Sequence, residues 1–149
     1  MDESVTSPDE GAPLPAEHPL HLPPYARAMG MEIDRIEDGV PVIGMDYTER
    51  AVGRPGYLHG GAIGGMLEMA AFTALRAELD RTGAAMRIKP VNISIEYLRG
   101  GVDHRTYAMG RVTRAGRRVA NVRVEAWQAD RDKPVASCWM NFLLAPKAG

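Results

Sequence analysis

Gly56-Tyr57-Leu58-His59-Gly60-Gly61-Ala62-Ile63-Gly64-Gly65-Met66-Leu67-Glu68-Met69-Ala70-Ala71-Phe72-Thr73-Ala74-Leu75 decides how the rest of this 149-residue chain is read. From Gly60 to Leu75 the only charged residue is Glu68. A helix that is apolar on every face is ordinarily buried, and a lone carboxylate within one is costly unless it is paired or hydrogen-bonded. Glu68 therefore points to a functional site. The plainer reading, a carboxylate on an exposed turn, is opposed by the neighbours Gly64, Gly65, Ala71 and Phe72. The helix is expected from about Gly60 to Leu79, with Asp80, Arg81, Thr82 and Gly83 as its exit. Glycines at 60, 61, 64 and 65 each disfavour helix by ~1 kcal/mol relative to alanine. Packing has to outweigh that cost, and small residues let a second backbone or a ligand come close.

Working outward, Pro23 to Gly30 reads as a short helix with proline at its start and glycine at its end. Met31 to Ile36 and Val40 to Thr48 flank Asp38-Gly39, a hairpin signal. A loop from Glu49 to Leu58 follows. Beyond the helix, Val91, Ile93, Ile95 and Tyr97 alternate with polar residues. So do Ala120, Val122, Val124 and Ala126, and again Ala136, Cys138, Met140, Phe142 and Leu144, with a weaker strand at Tyr107 to Thr113. Period-two alternation between short turns describes an antiparallel meander. Two strands, one long helix and four strands make an α+β domain, a curved antiparallel β-sheet wrapped around one central helix. Residues 1–17, rich in Pro, Ser and acidic side chains, are expected to be a disordered tail, and 18–149 a single domain.

A chain of this length can hide about 70% of its unfolded surface and needs no disulfide. Cys138 is the only cysteine, which suits a reducing compartment and a packing role. The net charge of −1 without a basic block excludes an electrostatic footprint for nucleic acid. The apolar run around Glu68 is too interrupted for a membrane span, and the acidic N-terminus is unlike a signal peptide. A cytoplasmic location is expected. The histidines at 18, 21, 59 and 104 lack metal-ligand spacing. Trp127 and Trp139 read as sheet packing or part of an oligomer face.

The chain resembles the hotdog-fold acyl-CoA thioesterases of the phenylacetic-acid-degradation (PaaI-like) group over roughly Tyr25 to Ala145. His59-Gly60-Gly61 matches the family's His-Gly-Gly, and Glu68 stands nine residues after that histidine, at the place of the catalytic Asp or Glu. Tyr97-Leu98-Arg99 and Gly116-Arg117 match two further family features. The resemblance implies a hotdog fold, hydrolysis of an acyl-CoA thioester without a cofactor, and a homo-oligomer, at least a dimer and expected to be a tetramer, with each site built between two subunits. The backbone N–H of Gly60, at a helix start where donors lack partners, suits a thioester oxygen becoming an oxyanion. Glu68 is then general base or nucleophile, and His59 completes the catalytic trio as the helix-entry residue, its ring bonded to nearby backbone. Gly61, Thr73 and Arg54 are assigned to substrate binding. Arg99, Arg117 and Arg118 are expected to gather on one rim, from one chain or from a partner subunit, to meet the phosphates of coenzyme A.

Two positions depart from the family. Gly53 stands where many members carry Asn or Gln, and Pro90 where many carry Ser or Thr. Arg50, Arg54 or Thr73 are the candidates to replace the lost polar groups. The alternative function is a non-catalytic acyl-CoA-binding hotdog protein, which the losses at Gly53 and Pro90 favour and the retained Glu68 opposes.

Overall fold

The computed structural model describes residues 21–83 and 85–147. The expected N-terminal tail, 1–17, lies outside them. The chain begins with a short helix, α1 (Pro24–Ala28), with proline in its first turn. Strands β1 (Met31–Glu37) and β2 (Val40–Met45) form the expected hairpin. Asp38 (φ 51°) and Gly39 (φ 79°) both take positive φ, the turn whose twist matches its strands. The stretch from Glu49 to Leu58 is more ordered than a plain loop: it holds a 3-10 turn at Glu49–Ala51 and a bridge between Val52 and Leu58.

The long helix α2 spans Gly60–Thr82, three residues beyond the expected end. Gly83 closes it in the left-handed conformation, its N–H reaching the carbonyls of Leu79 and Asp80. Strands β3 (Met86–Tyr97), β4 (Thr106–Ala115), β5 (Val119–Trp127) and β6 (Ala136–Pro146) complete one six-stranded antiparallel sheet. Its order is β1-β2-β4-β5-β6-β3. The last four strands are thus not a simple meander. One side of β4 is already taken by β2, through pairs such as Gly44 with Tyr107, so β3 docks on the free side of β6. That leaves β3 as an edge.

The sheet curves around α2. Ala62, Ile63, Met66, Leu67, Ala70, Ala71, Ala74, Leu75 and Leu79 are buried against Ile43, Met45, Ala108, Val122, Val124, Met140 and Phe142. Phe72 meets Phe142 edge to face at 6.0 Å. Gly110 sets how closely helix and β4 approach: a Cβ there would come 2.8 Å from the Ala70 carbonyl oxygen and 2.9 Å from the Ala74 Cβ. On the outer face Trp127 is buried, stacked on Tyr107 at 5.9 Å and covered by Arg131. Trp139, by contrast, is 48% exposed beside a polar row in which Asn121 donates to Asn141 and Asn141 to Asn92. No helix among the described residues is long and apolar enough to cross a membrane.

Candidate active site

The segment before α2 is held from several directions. The His59 N–H donates to the Ala51 carbonyl at 2.7 Å, Leu58 N–H to Gly101, and Gly53 N–H to Tyr57. His59 is the N-cap of α2, and its Nδ1 accepts from the Gly61 N–H at 2.7 Å. The ring thereby does the work usually given to Ser or Asp. Ala62 and Ile63 donate to the His59 carbonyl. Of the first-turn donors only the Gly60 N–H has no partner among the described residues. It is a free donor at the positive end of a 23-residue helix. The Gly60 carbonyl is fixed as well, accepting from the Tyr97 hydroxyl at 3.0 Å.

Glu68 follows two turns later. It is half-buried rather than enclosed, and among the described residues it accepts no hydrogen bond and pairs with no cation. The expectation of a carboxylate sunk in an all-apolar helix is corrected to that extent: α2 packs its other faces into the sheet and leaves the face of Gly61, Gly64, Gly65 and Glu68 only partly covered. Ile95 and the Tyr97 hydroxyl overhang Gly64, and Tyr25 overhangs Gly65. Cys138 lies inward on β6. Burial pushes its thiol up to about 11, against a hydrogen bond from the Val124 backbone, and the negative charge of Glu68 adds to the rise.

The remaining assigned residues scatter. The Thr73 hydroxyl is buried and donates back to the Ala70 carbonyl at 3.2 Å, about 140° around the helix from Glu68. Arg54 lies over the ring of Tyr57 at 4.5 Å, on the segment leading to His59. Arg50 donates to the Ala28 carbonyl and ties α1 down. Arg99 donates to the Pro134 carbonyl at 2.8 Å near the start of β6. Arg117 and Arg118 line a cavity of about 300 Å³ with Arg114 at the β4–β5 turn, beside the far end of β6. Since Tyr97 pairs with Ala136 and Val119 with Leu143, about 23 Å of strand separates these arginines within one chain. One chain does not bring Arg99 and the Arg117-Arg118 pair to a common rim, because Arg99 follows β3 at the end of the sheet where β4 begins, while Arg117 and Arg118 follow β4 at the opposite end.

A larger open cavity of about 820 Å³ lies where β2 ends short of β4, lined by Val40, Ala74, Ala77, Val112 and charged side chains, and includes none of the assigned residues. Among the described residues no group of three or more His, Cys, Asp or Glu is placed to hold a metal ion. The residue that the motif reading missed is Tyr25. It sits 40 positions before Gly65, and nothing in its local sequence announces the contact.

The profile of the Thioesterase superfamily matches residues 55–135, the span from just before His59 to the start of β6. The medium/long-chain acyl-CoA thioesterase YigI of Salmonella typhimurium is 27% identical over 146 residues, covering 86% of this chain and 90% of the relative. The protein of the same name from Escherichia coli K12 is 29% identical over 140 residues, covering 82% and 86%. Among solved structures, a protein from Chromobacterium violaceum shares 37% identity with a TM-score of 0.65, over 82% of this chain and 83% of that one. A conserved protein from Pseudomonas aeruginosa shares 26% identity with a TM-score of 0.71, over 88% and 100%.

Proposed function

Because the chain belongs to the Thioesterase superfamily and is a thioester hydrolase of hotdog fold, we propose that it cleaves acyl-CoA, with the Gly60 N–H as oxyanion donor and Glu68 as general base or nucleophile. The free amide at the start of α2 carries the reading. A thioester carbonyl oxygen seated there gains a donor and the helix dipole as it becomes an oxyanion. Water attacks the carbonyl carbon as Glu68 takes its proton, and the tetrahedral intermediate collapses with loss of the thiolate. A thiolate leaves readily near neutral pH, so no strong acid is required. Alternatively Glu68 attacks first, the C–S bond breaks with loss of the thiolate, and water cleaves the resulting anhydride to the free acid and the restored carboxylate. Membership of a hydrolase family favours the enzyme over the binding-only alternative.

We take the site to be shared between two chains, as the resemblance to hotdog thioesterases implies. Gly60 and Glu68 of one chain are separated by eight residues, about 12 Å of helix. On this reading the Gly60 of one chain works with the Glu68 of another. The uncovered edge of β3, with Val91 and Tyr97 more than half exposed, supplies the surface for such a pairing. Antiparallel pairing of two β3 edges would set the Tyr97 end of one beside the Met86 end of the other. It would also carry a second chain's Arg117 and Arg118 toward the first chain's helix start and Arg99. A dimer is thus the smallest active unit, and the exposed Trp139 and its asparagine row suit a further pairing into a tetramer. Half-buried Met69, Phe72, Ile88, Ile93 and Ile95 form an apolar surround suited to the medium or long acyl chains in the relatives' name. The cytoplasm is the proposed compartment, in keeping with the lone buried thiol.

Complementation tests the reading. Gly60→Pro deletes the free N–H at the first helical position, where proline is well tolerated. His59 already holds the extended conformation that a following proline demands (φ −68°, ψ 136°), and a Cβ at 60 meets Tyr97 at an ordinary 3.5 Å. Gly60→Pro and Glu68→Gln homodimers should each be inactive on decanoyl-CoA. Mixed and reassembled, they should recover activity, since the heterodimer holds one complete site. No recovery from folded, mixed chains would refute a shared site.

A further inference from the structure

We propose that the Tyr25 hydroxyl positions the attacking water at Glu68, filling the role for which Gly53 and Pro90 offer no side chain. The inference rests on Glu68 acting as the general base of the proposed function rather than as its nucleophile. Helix α1 lies against the start of α2, and the Tyr25 ring crosses directly over Gly65: a Cβ built there would fall within 3.0 Å of two ring carbons and closer still to the hydroxyl. Gly65 is three residues before Glu68. In a helix the two positions share a face, with Cβ atoms about 5–6 Å apart, and long side chains lean back over the preceding turn. The carboxylate of Glu68 and the hydroxyl of Tyr25 therefore stand over the same stretch of helix.

Both groups are without a hydrogen-bond partner among the described residues. The Tyr97 hydroxyl donates to Gly60, and the Tyr47 hydroxyl accepts from the Gly56 N–H. The Tyr25 hydroxyl has no hydrogen-bond partner among the described residues, and its ring is 47% exposed. Glu68 has none either, so the two are not bonded to each other, and one water can bridge them. A water that gives one hydrogen to Glu68 and the other to the phenol oxygen keeps a lone pair for the thioester carbon. Glu68 takes its proton as the carbon–oxygen bond forms, while Tyr25 holds the orientation and exchanges no proton.

The mount is rigid. Ala26 and Leu22 are buried, and Arg50 clamps the end of α1 through the Ala28 carbonyl. The other candidates are occupied: Thr73 bonds its own helix on another face, Arg50 is the clamp, and Arg54 stacks on Tyr57.

The experiment compares wild type, Tyr25→Phe and Glu68→Gln on decanoyl-CoA, following thiol release, with melting temperature and oligomeric state measured alongside. Tyr25→Phe keeps the ring and removes only the hydroxyl. The expected result is a fall in kcat of roughly tenfold or more, with KM within about twofold, and with melting temperature and assembly unchanged. Wild-type kcat in Tyr25→Phe, beside an inactive Glu68→Gln, would overturn the inference and leave the Glu68 reading intact. A loss confined to KM, or accompanied by a drop in melting temperature, would also overturn it, since the hydroxyl would then contact substrate or serve the fold. An active Glu68→Gln would remove the carboxylate reading and this inference with it.

Discussion

Strands β5 and β3 carry the same alternating pattern and meet different fates. On the inner face of β5, Ala120, Val122, Val124 and Ala126 are at most 1% exposed. On that of β3, Ile93 and Ile95 are half-buried and Tyr97 is 55% exposed. Alternation states which residues share a face, not what covers the face. Helix α2 covers β5 because Gly110 and Ala74 let it lie close to the middle of the sheet. It leaves β3 at the margin, where the glycine face of the helix, Glu68 and the open sheet edge come together. One flank of the helix is core, and the other is the flank we propose for substrate and a second chain.

The sharpest way to break that contrast is at the carboxylate. Glu68→Gln should cut kcat/KM by roughly 10²- to 10⁴-fold while the melting temperature stays within about 2 °C. A variant that loses stability in parallel would place Glu68 in the core after all. Next in size is Phe142→Ala beneath the helix, expected to cost about 3–5 kcal/mol of unfolding free energy. Ile93→Ala on the β3 side should cost nearer 1 kcal/mol, and more at high protein concentration than at low. Urea titrations at two concentrations separate these cases. Equal, concentration-independent losses would mean that β3 belongs to the core of the single chain.

A third difference is visible in alkali. The Cys138 thiol rises from 9.0 unfolded to about 11 folded. Its stabilising contribution is therefore whole below pH 9 and is lost as pH climbs toward 11, on the order of 3 kcal/mol at most. Cys138→Ala should flatten the decline of stability between pH 9 and 11 relative to wild type. Identical slopes would show that the thiol is not held protonated. The smallest effect belongs to the basic end of the sheet. Removing Arg117 and Arg118 together should raise KM for decanoyl-CoA about three- to tenfold at low salt, and less as salt screens the contact. KM for a short thioester without the nucleotide should hardly move. If the short substrate suffers equally, those arginines serve assembly.

What the sequence made legible was whatever is governed by neighbours along the chain. The Asp38-Gly39 turn, the course of α2 and its exit at Gly83, and the inward set on β5 and β6 all follow from local spacing. At the site, His59 as a helix cap and Glu68 as an isolated carboxylate were readable for the same reason. Legibility failed where a distant element decides. Thr73 looked available, but its hydroxyl turns to Ala70 one turn back. Arg99 looked like a free rim cation, but Pro134, on a loop 35 residues away, takes it. Nothing around Tyr25 says that its ring will rest on Gly65, because that contact arises only once α1 and α2 are packed together.

Gly53 carries a consequence for anyone who would improve this enzyme stepwise. A Cβ there would come 3.1 Å from the His59 Cα and 3.4 Å from its backbone nitrogen, both part of the helix cap rather than a yielding side-chain tip. Grafting an amide side chain at 53 to imitate related enzymes would push on the residue that aims the Gly60 N–H. In a directed-evolution campaign that single exchange should score as a loss, however useful its amide would be once housed. The productive order is reversed: first widen the crossing of residues 53 and 59, then introduce the amide.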